Sequence, residues 1–338
     1  MPYQIWNRRY TGSKYKLSEW ITDLIAENCE GNSFCDLFAG TAIMSKQMID
    51  SVDEIYINDF LYSNEVIYKA FFEQSDFDYE KLDALKKGFS KIQVSEIPEN
   101  YVSVNFGNKF FSYNDSLRIG FIREQIEKNA DLNEKEKNIL LASLLYSLDK
   151  AANTVGHYDA YIKGKTIKDS FVFDLITPYE YKNKKVHISR SDANQLAKEI
   201  SCDIVYIDPP YNSRQYSRFY HILENITKWE KPELFGTACK PKAENMSEYC
   251  RSSATKTFKE LIDSLNCKYI VVSYNNTYNS KSSSSKNKIT LENIQTILES
   301  KGTVSIFEKK HQYFNTGKTE LPNHKELVFI TKVGIQNG

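Results

Sequence analysis

The 338-residue sequence predicts an α/β fold: a mainly parallel, Rossmann-like sheet with helices on both faces, closed by an antiparallel C-terminal strand. Three observations predict it. Four short runs rich in β-branched and aromatic residues each stop at an acid, namely Asp36, Asp59, Asp192 and Asp208. A glycine-containing turn and a stretch of helical spacing separate the first two runs, the signature of a β-α-β unit. Two late apolar runs, Val304-Ser305-Ile306-Phe307 and Leu327-Val328-Phe329-Ile330, read as a closing strand pair.

Composition narrows the class. An apolar fraction of 41% and an aromatic fraction of 13% support a real core, which argues against wholesale disorder. Lys+Arg and Asp+Glu both number 44, so a nonspecific polycation is excluded while a local basic face is not. Residues 1–17 are charged and lack an apolar h-region, so no signal peptide is expected, and no apolar run reaches membrane-spanning length. The six cysteines contain no Cys-x-x-Cys pair and the five histidines are scattered. They read as reduced thiols of a cytoplasmic protein, with no metal site expected.

In chain order, Arg8-Arg9-Tyr10-Thr11-Gly12-Ser13-Lys14 is a basic turn before a helix through Leu17, Ile21, Leu24 and Ile25. It is either an ordinary helix entry capped by Ser13 or a loop over a ligand. Phe34-Cys35-Asp36-Leu37-Phe38-Ala39-Gly40-Thr41-Ala42 is a strand running into a turn, followed by a helix through Ile43, Met44 and Met48. Ile55-Tyr56-Ile57-Asn58-Asp59 is a second strand whose acid lies about 20 residues past the glycine turn, where such folds bind ribose hydroxyls. A pyrophosphate cradle wants three glycines, and here the turn offers one. The pattern therefore favours an adenosyl ligand without phosphate, such as S-adenosylmethionine, over NAD.

Residues 60–185 read as mostly helical, with amphipathic stretches over 110–129 and 134–152. The segment from Asn153 to Lys165 interleaves Tyr158 and Tyr161 with Lys163 and Lys165, which suits a nucleic-acid face as well as a solvated loop. A third strand ends at Asp192 and a fourth at Asp208, sixteen residues on. Buried carboxylates are costly, so acids recurring at four strand ends call for one shared polar ligand. Asp208-Pro209-Pro210-Tyr211 then places a carboxylate, carbonyls stripped of competing N–H donors and an aromatic ring at the carboxyl end of a strand. That set suits an exocyclic amino group on a flat heterocycle. Residues 212–259 read as a long irregular loop, 269–273 as a strand, 279–288 as a flexible Ser-rich connector and 289–298 as a helix. A basic loop carrying Lys309, Lys310, His311, Tyr313, Lys318, His324 and Lys325 separates the last two strands.

With these residues assembled, the sequence resembles a DNA adenine-N6 methyltransferase of the Dam-like class, the family that includes many restriction-modification methylases. Tyr10-Thr11-Gly12-Ser13-Lys14 resembles its N-terminal cofactor motif, Asp36-Leu37-Phe38-Ala39-Gly40 its Phe-x-Gly motif, Asp208 to Tyr211 its catalytic motif, and Glu326-Leu327-Val328 its last motif. Thr41-Ala42 after the glycine departs from the usual Gly-x-Gly. The segments 153–163 and 214–221 are more similar to restriction-type members than to Dam. The resemblance implies S-adenosylmethionine as cofactor, held by Tyr10, Lys14, Asp36, Phe38, Gly40, Asp59 and Asp192, with Asp208 touching both cofactor and substrate amine. It implies a catalytic domain over 1–60 and 186–338 and an inserted, mainly helical target-recognition region over 61–185. Its partners would be double-stranded DNA and, in a restriction system, a separately acting endonuclease.

Asp208 and the Pro209 carbonyl would accept the two amino protons of an extruded adenine, localising the nitrogen lone pair, while Tyr211 stacks on the ring. Cytosine-N4 methylation uses the same chemistry and is the nearest alternative, with RNA methylation behind it. Cytosine-C5 chemistry would need a nucleophilic Cys, typically after a Pro, and no Pro-Cys pair occurs. A DNA-binding module without catalysis would not need the aligned acids.

Overall fold

The structure is a computed structural model and describes residues 3–277, 286–310 and 324–334. The chain divides into two compact units, one of Met1–Ser13, Leu61–Glu180 and Ser217–Glu244, the other of Lys14–Phe60, Tyr181–Tyr216 and Asn245–Gly338.

The second unit holds the sheet. Its strands are β1 (Ser33–Asp36), β2 (Glu54–Asp59), β3 (Lys185–Arg190), β4 (Ser201–Ile207), β5 (Asn266–Asn275), β6 (Gly302–Lys310) and β7 (Lys325–Val333). Their order is β3-β2-β1-β4-β5-β7-β6. Strands β3, β2, β1, β4 and β5 pair in parallel, and β7 runs antiparallel to both β5 and β6. This is the expected α/β sheet with its antiparallel C-terminal strand. Because β1 to β4 are parallel, their carboxyl ends share one edge: Asp36 and Asp59 end β1 and β2 and Asp208 directly follows β4, whereas β3 stops at Arg190, so the strand expected to end at Asp192 is shorter and Asp192 is an exposed cap of the next helix.

Alternation along the strands sorts side chains between faces. Cys35, Leu37, Val205, Ile207, Ile270, Val272, Leu327 and Phe329 pack with Leu196, Phe258, Leu261 and Ile294 from the helices Ala193–Leu196, Ala254–Ser264 and Leu291–Glu299. Truncating a ring such as Phe258 in this core would cost about 3–5 kcal/mol. Helices also cover the opposite face. Asp36 bonds Ser45 of the helix Ile43–Met48, and Lys309 lies over Trp20 of the helix Ser18–Asn28. That first helix begins at Ser18 with Leu17 at its N-cap and no side-chain cap, so Ser13 does not cap it.

The first unit is helical. The helix Tyr62–Phe72 is held at both ends by charged side chains from other helices. Glu224 accepts from the backbone N–H groups of Tyr62 and Ser63. The Lys135 ammonium donates to the carbonyls of Lys69, Ala70 and Glu73. Both contacts satisfy orphan groups and oppose the helix dipole. Asn133 and Glu136 form a capping box on the helix Glu134–Ala151.

The long loop expected over 212–259 is partly regular, although 229–247 remains without helix or strand. It contains the helices Tyr216–Phe219 and His221–Lys228 and the start of Ala254–Ser264. The short helix His221–Lys228 carries its own amphipathic stripe, with Ile222, Leu223 and Ile226 buried, but eight residues give little periodicity to read. Ser217–Glu244 thereby joins the helical unit, which is wider than the 61–185 insert read from sequence. The expected connector falls mostly on residues 278–285, and His311, Tyr313 and Lys318 on 311–323, all outside the described residues.

Candidate active site

Strand β4 ends at Ile207, and the two prolines that follow stop the ladder there. Asp208 meets two partners at once, both on Oδ1. Lys14 Nζ lies 2.9 Å from it, and the Tyr211 hydroxyl donates a short hydrogen bond to it. Lys14 Nζ also donates to Tyr211 Oη at 2.6 Å, closing a three-membered ring of contacts. Tyr211 is fixed further by an edge-on contact with Tyr274, ring centroids 4.5 Å apart, and by the Lys288 N–H, which donates to its carbonyl at 2.7 Å.

The ring of contacts is charged as well as buried. Burial pulls the Lys14 ammonium down, but Asp208 and then Glu326 outweigh it, so its pKa stands above the usual lysine value. Burial pushes the Asp208 carboxyl up, against Lys14 and the Tyr211 hydroxyl, with Glu326 adding to the rise. Glu326 comes from β7, opposite Asn275 in register, and is buried.

Asp36 ends β1, buried at 1% exposure, and accepts from both the N–H and the hydroxyl of Ser45. Burial raises it to about 7 despite those bonds, with Asp208 and Asp59 adding repulsion. Past it the chain turns through Gly40 (φ 52°) and Ala42 (φ 54°), left-handed positions that bring backbone close to whatever the turn faces. Gly40 N–H donates to Asp59 Oδ2 at 3.0 Å, tying the turn to the end of β2. Phe38 packs edge-on against Tyr249, whose hydroxyl donates to Asn194. Asp192 is exposed and caps the helix Ala193–Leu196 by accepting from Asn194 and Gln195.

Among the expected residues, Lys14, Asp208 and Tyr211 are thus brought together. Asp36 and Asp59 flank the glycine turn, and Phe38 and Asp192 lie on one chain of contacts. Tyr10 belongs to the helical unit, where its ring stacks on Tyr220 at 4.9 Å and carries the Arg8 guanidinium. Reading the sequence missed two residues that build the edge. Asn58 donates to the carbonyls of Leu37 and Ser191 and accepts from Ser189 and Ser191, tying the ends of three strands. An amide directly before the strand-end acid was the available signal. Tyr249 gave none, since it lies in the stretch read as irregular. Among the described residues no cluster of His, Cys, Asp or Glu could hold a metal ion, and no helix is long and apolar enough to cross a membrane.

Comparison with known proteins places this edge in a family. Residues 10–279 match the model of the D12 class N6 adenine-specific DNA methyltransferases. The chain is 32% identical to the type II methyltransferase M.NlaIII of Neisseria lactamica, over 94% of this chain and 95% of that protein. It is 30% identical to the type II methyltransferase M.CviAII of Paramecium bursaria Chlorella virus 1, over 95% and 97% respectively. With M.FokI of Planomicrobium okeanokoites it shares 31% identity over 97% of this chain and 53% of the longer protein. A parallel sheet edge lined with acids, a lysine-bridged Asp-Pro-Pro-Tyr at its centre and a match spanning both units lead to one conclusion: the chain belongs to the D12 class of N6 adenine-specific DNA methyltransferases.

Proposed function

We propose that the chain takes its methyl group from S-adenosylmethionine and places it on an adenine extruded from duplex DNA, as the modification enzyme of a cytoplasmic restriction system. The observation that carries this reading is the occupation of Asp208. Lys14 and Tyr211 both engage Oδ1, which leaves Oδ2 to accept one amino proton while the Pro209 carbonyl accepts the other. Two acceptors on one amine localise its lone pair on nitrogen. Positioning and electrostatics then carry the transfer, without a covalent enzyme intermediate.

The donor set suits that cofactor. Asp36, Asp59 and Asp208 form an acidic edge, and burial, with a smaller share from like-charge repulsion, raises Asp36 to about 7. Such an edge disfavours a pyrophosphate and favours a ligand bearing positive charge. S-adenosylmethionine, when bound, supplies a methyl group on a sulfonium centre. Asp36 and Asp208 would face its cationic end, Asp59 its ribose, and Asp192 and Phe38 its adenine, with Gly40 allowing close approach and Lys14 completing the set. Pro210 holds the turn that aims Tyr211. Stacking of the extruded base on Tyr211 would return about 1–3 kcal/mol of the cost of extrusion.

The helical unit would read the target. Within it Asn153 and Ile162 close a loop by two hydrogen bonds, Ile162 N–H to the Asn153 carbonyl and the Asn153 amide to the Ile162 carbonyl. Tyr158 is buried at the centre of that loop, with its hydroxyl on Asp149. The loop exposes Val155 and Ile162, and the exposed Lys163, Lys165 and Lys168 follow it. Apolar tips beside cations suit a groove and its phosphates. A separately acting endonuclease would cut the same sequence left unmodified. The test is to incubate the protein with labelled S-adenosylmethionine and unmethylated genomic DNA, digest to nucleosides and identify the labelled one. Label on N6-methyladenine is expected; label on N4-methylcytosine would overturn the target base.

A further inference from the structure

Glu326 is a buried carboxylate with too few partners. It is 6% exposed, its Oε2 makes no hydrogen bond among the described residues, and its Oε1 lies 3.7 Å from His324 Nε2. Burying a carboxylate without hydrogen bonds is costly, and a sheet keeps one only where something repays it. Register shows where it faces. Leu327 and Phe329 point into the core cluster, so Glu326 and Val328 point to the other face, the one bearing Asp36 and Asp208. Val328 pairs with Ser273, whose carbonyl lies 3.4 Å from Tyr211 Oη. Glu326 therefore stands two residues along β7 from the strand pair that supports the Lys14-Asp208-Tyr211 ring.

Its value there follows from charge. Asp208 must hand negative charge to the adenine amine, yet a lysine ammonium sits 2.9 Å from it. A one-to-one pair would spend most of that charge on Lys14. A second carboxylate acting on the same cation leaves the set with one net negative charge. We propose that Glu326 is a positioning residue of the methyl-transfer site: it shares the charge of Lys14 with Asp208, so that Asp208 remains a strong acceptor for the adenine amine. This inference rests on the function proposed above. The electrostatics run the same way, since Glu326 raises both Lys14 and Asp208. The other groups that face the set are Tyr206 and Tyr211 from β4 and its turn, Asp36 from β1, His324 beside Glu326, and Lys309 of β6, which stands opposite Glu326 in register with its ammonium over Trp20.

The experiment is the pH profile of kcat for the full chain, wild type against Glu326→Gln and Glu326→Asp, with labelled S-adenosylmethionine and DNA. Removing a negative neighbour lowers the pKa of Asp208 and of Lys14 together. The whole profile of Glu326→Gln should therefore move to lower pH by about one pH unit on both limbs. Its kcat near neutrality should fall by roughly tenfold or more, with KM for DNA unchanged. Glu326→Asp, which keeps the charge, should hold both limbs near their wild-type positions and recover part of kcat. Limbs that stay put in Glu326→Gln, or a Glu326→Asp as damaged as the glutamine variant, would overturn the proposal and assign Glu326 to packing. A wild type that labels no adenine would instead bring down the reading beneath it, a result distinguishable because it precedes any variant.

Discussion

The helical unit and the sheet unit both bury charge, and they treat it in opposite ways. In the helical unit Lys135 spends its ammonium on three backbone carbonyls at a helix end. Arg123 spends its guanidinium on the carbonyls of Ile226 and Thr227 and on Glu127. In the sheet unit Asp36 faces the negative charge of Asp208 and Asp59, and Glu326 keeps an oxygen with no hydrogen bond among the described residues. Burial lowers Lys135 to about 8, but its donors are all used. A buried charge satisfied by backbone is architecture. A buried charge left facing like charges is a cost that a ligand can relieve, and such groups mark functional edges.

The largest break in this contrast should come from Asp208→Ala. Loss of the acceptor is expected to lower single-turnover methyl transfer by at least about 10³-fold, while DNA binding measured by anisotropy persists. Retained turnover would remove Asp208 from its role. Next comes Asp36→Asn. The folded pKa of Asp36 is raised from 3.8 to about 7, so its contribution to stability is complete below the unfolded value and is lost as pH rises through about 7. The ligand-free variant should lose that slope in melts across the range and gain stability near pH 8, by up to about 4 kcal/mol at 1.36 kcal/mol per unit. Its affinity for the methyl donor should fall. An unchanged pH dependence would mean that Asp36 is not a strained acid.

Smaller effects should come from the helical unit. Replacing Lys163, Lys165 and Lys168 together by Ala should flatten the plot of log affinity for DNA against log salt by about three phosphate contacts, leaving kcat at saturating DNA intact. An unaltered slope would move the phosphate contacts elsewhere. Lys135→Met should cost about 1–3 kcal/mol in denaturant melts and leave the transfer parameters unchanged well below the transition. A large loss of kcat there would blur the distinction between the two units.

Much of the sheet was legible because its signals are local. Ile204-Val205-Tyr206-Ile207 stopped by Pro209 and Pro210 reads as a buried strand wherever it occurs, and β4 ends at Ile207. The glycine turn and the acids closing β1 and β2 follow the same logic. The short helices within 216–228 were not legible, since a turn or two carries too little periodicity and their mixed Lys and Glu residues resemble a loop. Glu224 was hidden for another reason: what it does lies in hydrogen bonds to residues more than a hundred positions away.

The sequence by itself determined which segments become strands and where β1, β2 and β4 stop, at Asp36, Asp59 and just before Asp208, because strand patterning and proline breaks act over a few residues; β3, β5 and β6 stop at Arg190, Asn275 and Lys310 instead of where their patterns ended. The tertiary structure alone decided which charges act on one another. Lys14 meets Asp208 across nearly two hundred residues, and Glu326 is carried to them by the insertion of β7 between β5 and β6. Whether a charge is satisfied or strained depends on the dielectric and the partners that surround it once the chain is packed, and neither is written in the order of the residues.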